Sequence, residues 1–446
     1  MSLLLGVLLA ASIDGEAALR HASALAALGP HPWGSPRSEA AAQYVGAELR
    51  DAGLTEVDLQ GFERYGIPGT NVVATLRGPV DEIVVVGAHH DTAPEAPGAY
   101  DDGGGVGLLV ELARAMAREP TRTRTFVFVS FDGEESWSTG RGLTAGSRAW
   151  IERLGPDARR IVGVLVIEMS GWKGGTPVLH PIAYADPRRA GRSVVAPGWL
   201  VDTVLAGARD GGSPLGVGDP WLSWLYQPAV RTFRARLYGD DLSFLQAGLP
   251  AVFVSDSSFT AFYPHYHLPS DTADKLDATA LEHVGNAVLG SLRTLDAVPR
   301  GPAQDERWFA ALGHVVGPSA LAALAAGSAL PGLRTGWAGG GPVLVARLLQ
   351  VTLFALVFWR HPIPALWVFL LPNLVLPLGR ARWATALAVT PLLALLTLGT
   401  VAWARGMVSG VWLAPWEIAV AILALALAFV RPALLKKRKK RKRSRR

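Results

Sequence analysis

Carboxylates almost vanish two thirds of the way along this chain. Of its 446 residues, nearly every Asp and Glu lies at or before Glu306, whereas the stretch 308–435 is apolar and has Glu417 as its only acid. A chain divided in this way cannot form one uniform core. Its first part has the polar complement of a water-facing domain, and its second part has the composition of helices that face hydrocarbon. The formal net charge of +6 conceals the division, because ten Lys or Arg stand between Lys436 and Arg446 and the remainder is mildly acidic. Beside apolar segments, such a basic run reads as a cytoplasmic flank held against anionic lipid headgroups and not as a nucleic-acid site. The chain has no cysteine. Disulfides and thiolate ligands are therefore excluded, and a metal would have to be held by His, Asp and Glu.

The two ends carry different signals. Residues 2–12 are apolar but too few for a span of roughly 20 residues. With no basic flank, this segment within 1–14 reads equally as an export signal, an anchor or a first buried helix. Near the other end, the runs 342–359, 363–378, 383–404 and 411–430 are predicted membrane spans, followed by a basic tail over 436–446. The run 308–330 is a fifth predicted span, although it contains Gly313, His314, Gly317 and Pro318. With the tail cytoplasmic, Arg334, Arg380 and Arg382 fall inside and Arg360 and Arg405 outside. Five spans then put the first domain on the extracytoplasmic side of a plasma membrane, and four put it inside. Arg347, Glu417 and His314 have no evident pairing in the sequence, so the 301–435 region reads as an anchor and not as a transport path.

Over 15–300, strand-like runs at 71–76, 82–87, 125–131, 161–167 and 251–255 alternate with helical patterns at 38–52, 105–118, 146–154, 241–247 and 278–295. The expected fold is α/β, a mostly parallel central sheet flanked by helices, followed by an all-α transmembrane bundle. In such sheets ligands collect beyond the carboxyl ends of the strands. The candidate groups stand there: His89 and Asp91 after one strand, Glu134 and Glu135 after a second, Glu168 at the end of a third, and His265 and His267 after a fourth. Asp101 and Asp102 open a helix through Gly103, Gly104 and Gly105.

The order of these motifs resembles that of the M28 family of zinc aminopeptidases over about 16–295. The resemblance is carried by Leu28-Gly-Pro-His-Pro-Trp-Gly-Ser35, Val86-Gly-Ala-His-His-Asp-Thr92, Pro97-Gly-Ala-Tyr-Asp-Asp-Gly-Gly-Gly105, Phe131-Asp-Gly-Glu-Glu135 and Tyr263-Pro-His-Tyr-His-Leu-Pro-Ser-Asp-Thr272. It implies a peptidase with two zinc ions, one held by His89 and Glu168, the other by Glu135 and His267, with Asp101 bridging them. It implies Glu134 as general base, which takes a proton from water and returns it to the leaving amine of a peptide substrate. Asp91 matches a carboxylate that orients the His89 ring. Tyr266 matches a tyrosine that hydrogen-bonds the oxyanion in some relatives. His90 and His265 read as neighbours of the ligands, and Asp102 as a tie within its own turn. Glu168 stands where soluble members commonly have Asp, and 168–175 is similar to the multi-spanning branch of endomembrane and vacuolar proteins. The segment 136–145 is longer than the usual connection. Two other readings are a glutaminyl cyclase-like enzyme with one zinc, and a non-catalytic binding or scaffold domain on a membrane anchor; the complete ligand set speaks against both.

Overall fold

The computed structural model describes residues 12–135, 144–189, 192–218, 223–235, 238–258, 261–302, 307–311, 314–339, 341–375 and 408–428, with isolated positions between 393 and 404. The chain divides into two compact units. The first comprises Met1–Pro181, Val195–Trp221 and Tyr238–Gln304, and the second comprises Ile182–Val194, Leu222–Leu237 and Asp305–Arg446.

Among the described residues of the first unit, eight strands form one sheet. In chain order they are β1 (Glu56–Arg64), β2 (Ile67–Leu76), β3 (Val80–His89), β4 (Arg124–Phe131), β5 (Ile161–Ile167), β6 (Val178–His180), β7 (Gly216–Val217) and β8 (Ala251–Ser255). Their spatial order is β1-β2-β4-β3-β5-β8-β6-β7. The central run β4-β3-β5-β8 is parallel. Its Val-, Ile- and Phe-rich strands are buried along nearly their whole length, as a sheet covered on both faces requires. The antiparallel hairpin of β1 and β2 closes one edge. Half-exposed along its length, β1 lacks the unbroken apolar run that marks the central strands.

Helices α1 (Gly15–Ala26), α2 (Pro36–Asp51), α3 (Gly104–Arg118), α4 (Ala145–Leu154), α5 (Gly198–Asp210), α6 (Asp241–Ala247) and α7 (Ala278–Ala297) flank the sheet. Local chemistry sets their starts. The Ser35 hydroxyl accepts from the Ser38 N–H with Pro36 at the first helical position, and Asp277 accepts from the Ala280 N–H. Four of these helices, α2, α3, α4 and α7, begin within two residues of where periodicity puts them, and α6 coincides with its expected range.

The second unit holds α8 (Pro318–Gly339), α9 (Gly341–Arg360), α10 (Pro362–Val375) and α11 (Pro415–Ala428). Each carries proline at its first or second position, where the missing N–H costs nothing. The helices share an apolar cluster that includes Leu321, Phe354, Val357, Ile363, Leu366 and Leu425. Among the described residues no helix is both long and apolar enough to cross a membrane. The spans expected at 342–359, 363–378 and 411–430 correspond to helices of 20, 14 and 14 residues.

The run 308–330 is not one helix. Phe309–Ala311 pairs antiparallel with His314–Val316, and α8 begins only at Pro318. β-Branched Val315 and Val316 favour the strand, and Gly317-Pro318 separates it from the helix. Likewise 411–430 starts as strand, Val408–Val411, paired with Phe233–Ala235. The segments 1–11 and 136–143, most of 383–404, and the tail 436–446 lie outside the described residues.

Glu417 and Arg347, whose pairing the sequence does not display, both have partners in the fold. Glu417 lies in the first turn of α11 and is fully buried. One oxygen is 2.7 Å from Arg360 Nε, and the other is 3.1 Å from His361 Nε2 and accepts from the Ala414 N–H at 2.8 Å. Arg347 donates to Gln350 Oε1 at 3.1 Å and to the Leu427 carbonyl at 2.8 Å. Both side chains satisfy orphan backbone groups at the ends of α11, a demand that sequence spacing does not display. His314 is exposed on the short hairpin.

Candidate metal centre

The carboxyl ends of β3, β4, β5 and β8 converge on one buried cluster. His89 is the last residue of β3, Glu168 follows β5, and Glu134 and Glu135 follow β4 through Asp132 and Gly133. Asp101 and Asp102 come from the turn ahead of α3. That turn needs its glycines: a Cβ on Gly104 would strike the Ser170 carbonyl, and one on Gly105 the Asp102 carboxylate. His267 adopts a positive φ of 58°, a conformation seldom taken by residues other than glycine.

Five of these side chains form two triads with one member in common. His89 Nε2 lies 3.1 Å from Glu168 Oε1 and 3.3 Å from Asp101 Oδ1. His267 Nε2 lies 2.8 Å from Glu135 Oε1 and 3.2 Å from Asp101 Oδ2. In both triads the ligand-type atoms fall within 4.8 Å of one another, and each oxygen of Asp101 faces a different histidine. Among the described residues Glu168 Oε2 is buried without a hydrogen-bond partner.

Electrostatics describe the same place. Burial pushes Glu168 up to about 7, against the opposing pull of His89. Glu134 is raised well above its ordinary value, first by burial and then by the charges of Glu168, Glu135 and Asp240. Glu135 is raised by burial as well. Burial alone would lower both histidines. The neighbouring carboxylates more than offset this, raising His89 well above its usual value and His267 to about 10. Burial opposes ionisation of Asp101, yet His267 and His89 together hold its pKa below the usual carboxylate range. A crowd of buried carboxylates around two imidazoles is a donor set of hard and borderline atoms with a deficit of positive charge, which suits a divalent cation such as zinc.

The surrounding groups hold this set in place. The His89 Nδ1–H donates to the backbone carbonyl of Asp91 at 2.9 Å, while the Asp91 carboxylate is farther away at 3.5 Å. The carbonyl fixes the tautomer, and the carboxylate stays within ion-pair reach of the same ring nitrogen. The Asp91 carboxylate also accepts the N–H groups of Glu134 and Glu135 at 3.0 and 3.1 Å. It therefore aims the adjacent glutamates. Asp102 accepts from Gly105, His89 and Met169, tying β3 and β5 as well as its own turn. His90 pairs with Ser130 and His265 with Ser270, and neither belongs to a triad. The Tyr266 ring stacks on His267 with 3.6 Å between ring centres.

Asp240, which with Asp241 precedes a short helix, is fully buried and raised to about 8 by burial. Two side chains escaped the sequence reading. Asp256 and Asp271 are buried and accept backbone N–H groups from the ligand-bearing loops. The nearness of Asp271 to His267 in the sequence was the available signal.

The family model for Peptidase family M28 matches residues 71–197 and 224–292, which contain all five members of the two triads. Leucine aminopeptidase 1 of Metarhizium robertsii is 26% identical over 267 residues, 58% of this chain and 63% of that relative. Endoplasmic reticulum metallopeptidase 1 of Mus musculus is 24% identical over 254 residues, 55% of this chain and 24% of that protein. The chain thus spans less than two thirds of either relative. Among solved structures, glutaminyl cyclase from Porphyromonas gingivalis superposes with a TM-score of 0.51 at 21% identity, covering 64% of this chain and 100% of that one. At that identity the likeness establishes a shared fold and leaves the chemistry open. Motif order, fold and family match agree on the region 71–197 and 224–292, which matches peptidase family M28.

Proposed function

We propose that the first unit is a two-zinc aminopeptidase that removes the N-terminal residue of peptides. The observation that carries this reading is Asp101, one carboxylate shared by two triads of His, Asp and Glu. His89 and Glu168 would hold one ion and Glu135 and His267 the other. Bound zinc would polarise the scissile carbonyl and bring the pKa of water toward neutrality. Glu134, its backbone held by Asp91, takes the proton from the attacking water and delivers it to the leaving amine. Tyr266, stacked on His267, donates its phenolic hydrogen to the oxyanion. The test is zinc stoichiometry together with a substrate profile of the full-length protein in detergent, using aminoacyl substrates, blocked peptides and peptides with N-terminal Gln. Two zinc ions per chain with release of N-terminal residues support the proposal. One zinc ion with cyclisation of N-terminal Gln would replace it by the cyclase reading.

We infer further that the second unit embeds in a bilayer, with the basic tail on the cytoplasmic face against anionic headgroups and the first unit extracytoplasmic. Support comes from its outward-facing side chains. Leu330, Val345, Leu348, Leu349, Leu356 and Ile422 are each more than half exposed, an arrangement that water disfavours. Exposed Trp337, Trp359 and Trp416 stand near helix ends, as interfacial tryptophans do. The orientation is that of the basic run 436–446 together with Arg334, Arg380 and Arg382, which a cytoplasmic leaflet attracts. Protease added outside sealed, correctly oriented vesicles should cut the first unit and spare the tail. The reverse pattern would overturn this orientation, and release of the protein by alkaline extraction would overturn the embedding.

A further inference from the structure

Both oxygens of the shared carboxylate must be held still if Asp101 is to serve two ions, yet its backbone lies outside the helix that follows, with φ −120° and ψ 88°. What fixes it is a buried carboxylate on another loop. Asp271, four residues after His267, is fully buried. Its Oδ1 accepts the Tyr100 N–H at 2.9 Å and its Oδ2 the Asp101 N–H at 3.2 Å. The Tyr263 hydroxyl donates to Oδ1 at 2.9 Å. Two successive backbone N–H groups thus converge on one anion, which sets the peptide plane from which the Asp101 side chain departs.

A second buried carboxylate supports the first. Asp256 accepts the Tyr100 hydroxyl at 2.7 Å through Oδ1, and the N–H groups of Gly171 and Trp172 at 2.6 and 3.0 Å through Oδ2. Tyr100 is therefore held at both ends, by Asp271 at its backbone and by Asp256 at its ring. The Tyr100 and Tyr263 rings lie 4.1 Å apart. The loops bearing Asp101, Glu168 and His267 come from separate strands, and these two aspartates join them through Tyr100.

We propose that Asp271 is the positioning residue for Asp101, with Asp256 and Tyr100 as its support, and that it sets zinc affinity through the shared carboxylate. This rests on the two-zinc reading above. The experiment compares the full-length wild type with Asp271→Asn and Tyr263→Phe in detergent, measuring zinc dissociation constants, kcat/KM at limiting and saturating zinc, and the metal-free melting temperature. In Asp271→Asn an amide donor replaces one carboxylate oxygen and faces one of the two backbone N–H groups. Zinc should bind roughly 10–100-fold more weakly, with kcat/KM falling in step at limiting zinc and recovering at saturating zinc. Tyr263→Phe removes one hydrogen bond to the same carboxylate and should weaken zinc by about 2–10-fold. It carries the test if Asp271→Asn does not fold. A lowered melting temperature with wild-type zinc affinity in the folded variants would make Asp271 a structural tie only and overturn the proposal. A wild type that binds no zinc, or binds it equally well after Asp101→Asn, would instead reject the two-zinc reading.

Discussion

The two units bury charge in opposite ways. In the first, Asp101, Glu134, Glu135, Glu168 and Asp240 are packed around two histidines, and burial raises Glu168 to about 7 and Asp240 to about 8. In the second, the single carboxylate after residue 306 is Glu417, equally buried, but with a guanidinium, an imidazole and a backbone N–H around it. Burial therefore does not by itself mark a functional group. An uncompensated excess of one sign marks a place for a counter-ion, whereas a balanced cluster marks a clasp between helices.

That contrast breaks first at Glu134. The variant Glu134→Gln should keep its zinc and lose about 10²–10⁴-fold in kcat, since the amide accepts no proton from water. Metal content and single-substrate kinetics on one preparation decide it; a metal-loaded, active variant would remove Glu134 as the base. Tyr266→Phe should lower kcat by about 10²-fold with KM little changed, as loss of one oxyanion donor does. If only KM moves, Tyr266 packs against His267 and does no more.

The balanced cluster should respond differently. Glu417→Gln keeps an acceptor for the Ala414 N–H but discharges the group facing Arg360 and His361. Because Arg360 is partly exposed and can turn to solvent, the expected loss is about 1–2 kcal/mol of stability, read by thermal unfolding in detergent. The kcat of the folded fraction should stay at the wild-type value. A drop in kcat without loss of stability would mean that this clasp acts on the chemistry.

How far these features are written in the sequence follows from how local their causes are. The strands β3, β4, β5 and β8 are continuous apolar runs; His89 ends one strand, Glu168 and Glu135 stand one and four residues beyond two others, Asp101 opens a glycine turn and His267 follows β8 by twelve residues, so composition and order expose them. The half-exposed strand β1 has no such run. Asp256 and Asp271 act on backbone N–H groups, which every residue has, so no partner residue type points to them. Arg360 and Glu417 are far apart along the chain and meet only because α9 and α11 pack. The run 308–330 misleads for the opposite reason: its hydropathy is that of a span, while Val315, Val316, Gly317 and Pro318 dictate a strand and a break.

The smallest expected effect is also the most direct reading of the charge excess. In the metal-free protein, burial raises Glu168 and Asp256 to about 7 and Asp132 and Asp240 to about 8, all well above their unfolded values. Between those values and pH 8 the folded state holds more protons than the unfolded one, so stability falls as pH rises. His267, raised to about 10, acts in the same sense: its contribution is complete below pH 6.5 and fades toward pH 10. His90, lowered to about 3 by burial, acts oppositely, but only below its unfolded pKa of 6.5. The window from pH 6.5 to 8 is therefore the cleanest. There the metal-free melting temperature should fall by about 2–4 °C for each kcal/mol lost. With saturating zinc the slope should reverse, because protons compete with the metal for the same carboxylates and imidazoles. Thermal unfolding at both pH values, with chelator and then with zinc, measures both slopes. A metal-free protein that grows more stable toward pH 8 would show that its buried carboxylates are already compensated, as Glu417 is, and would erase the difference between the two units.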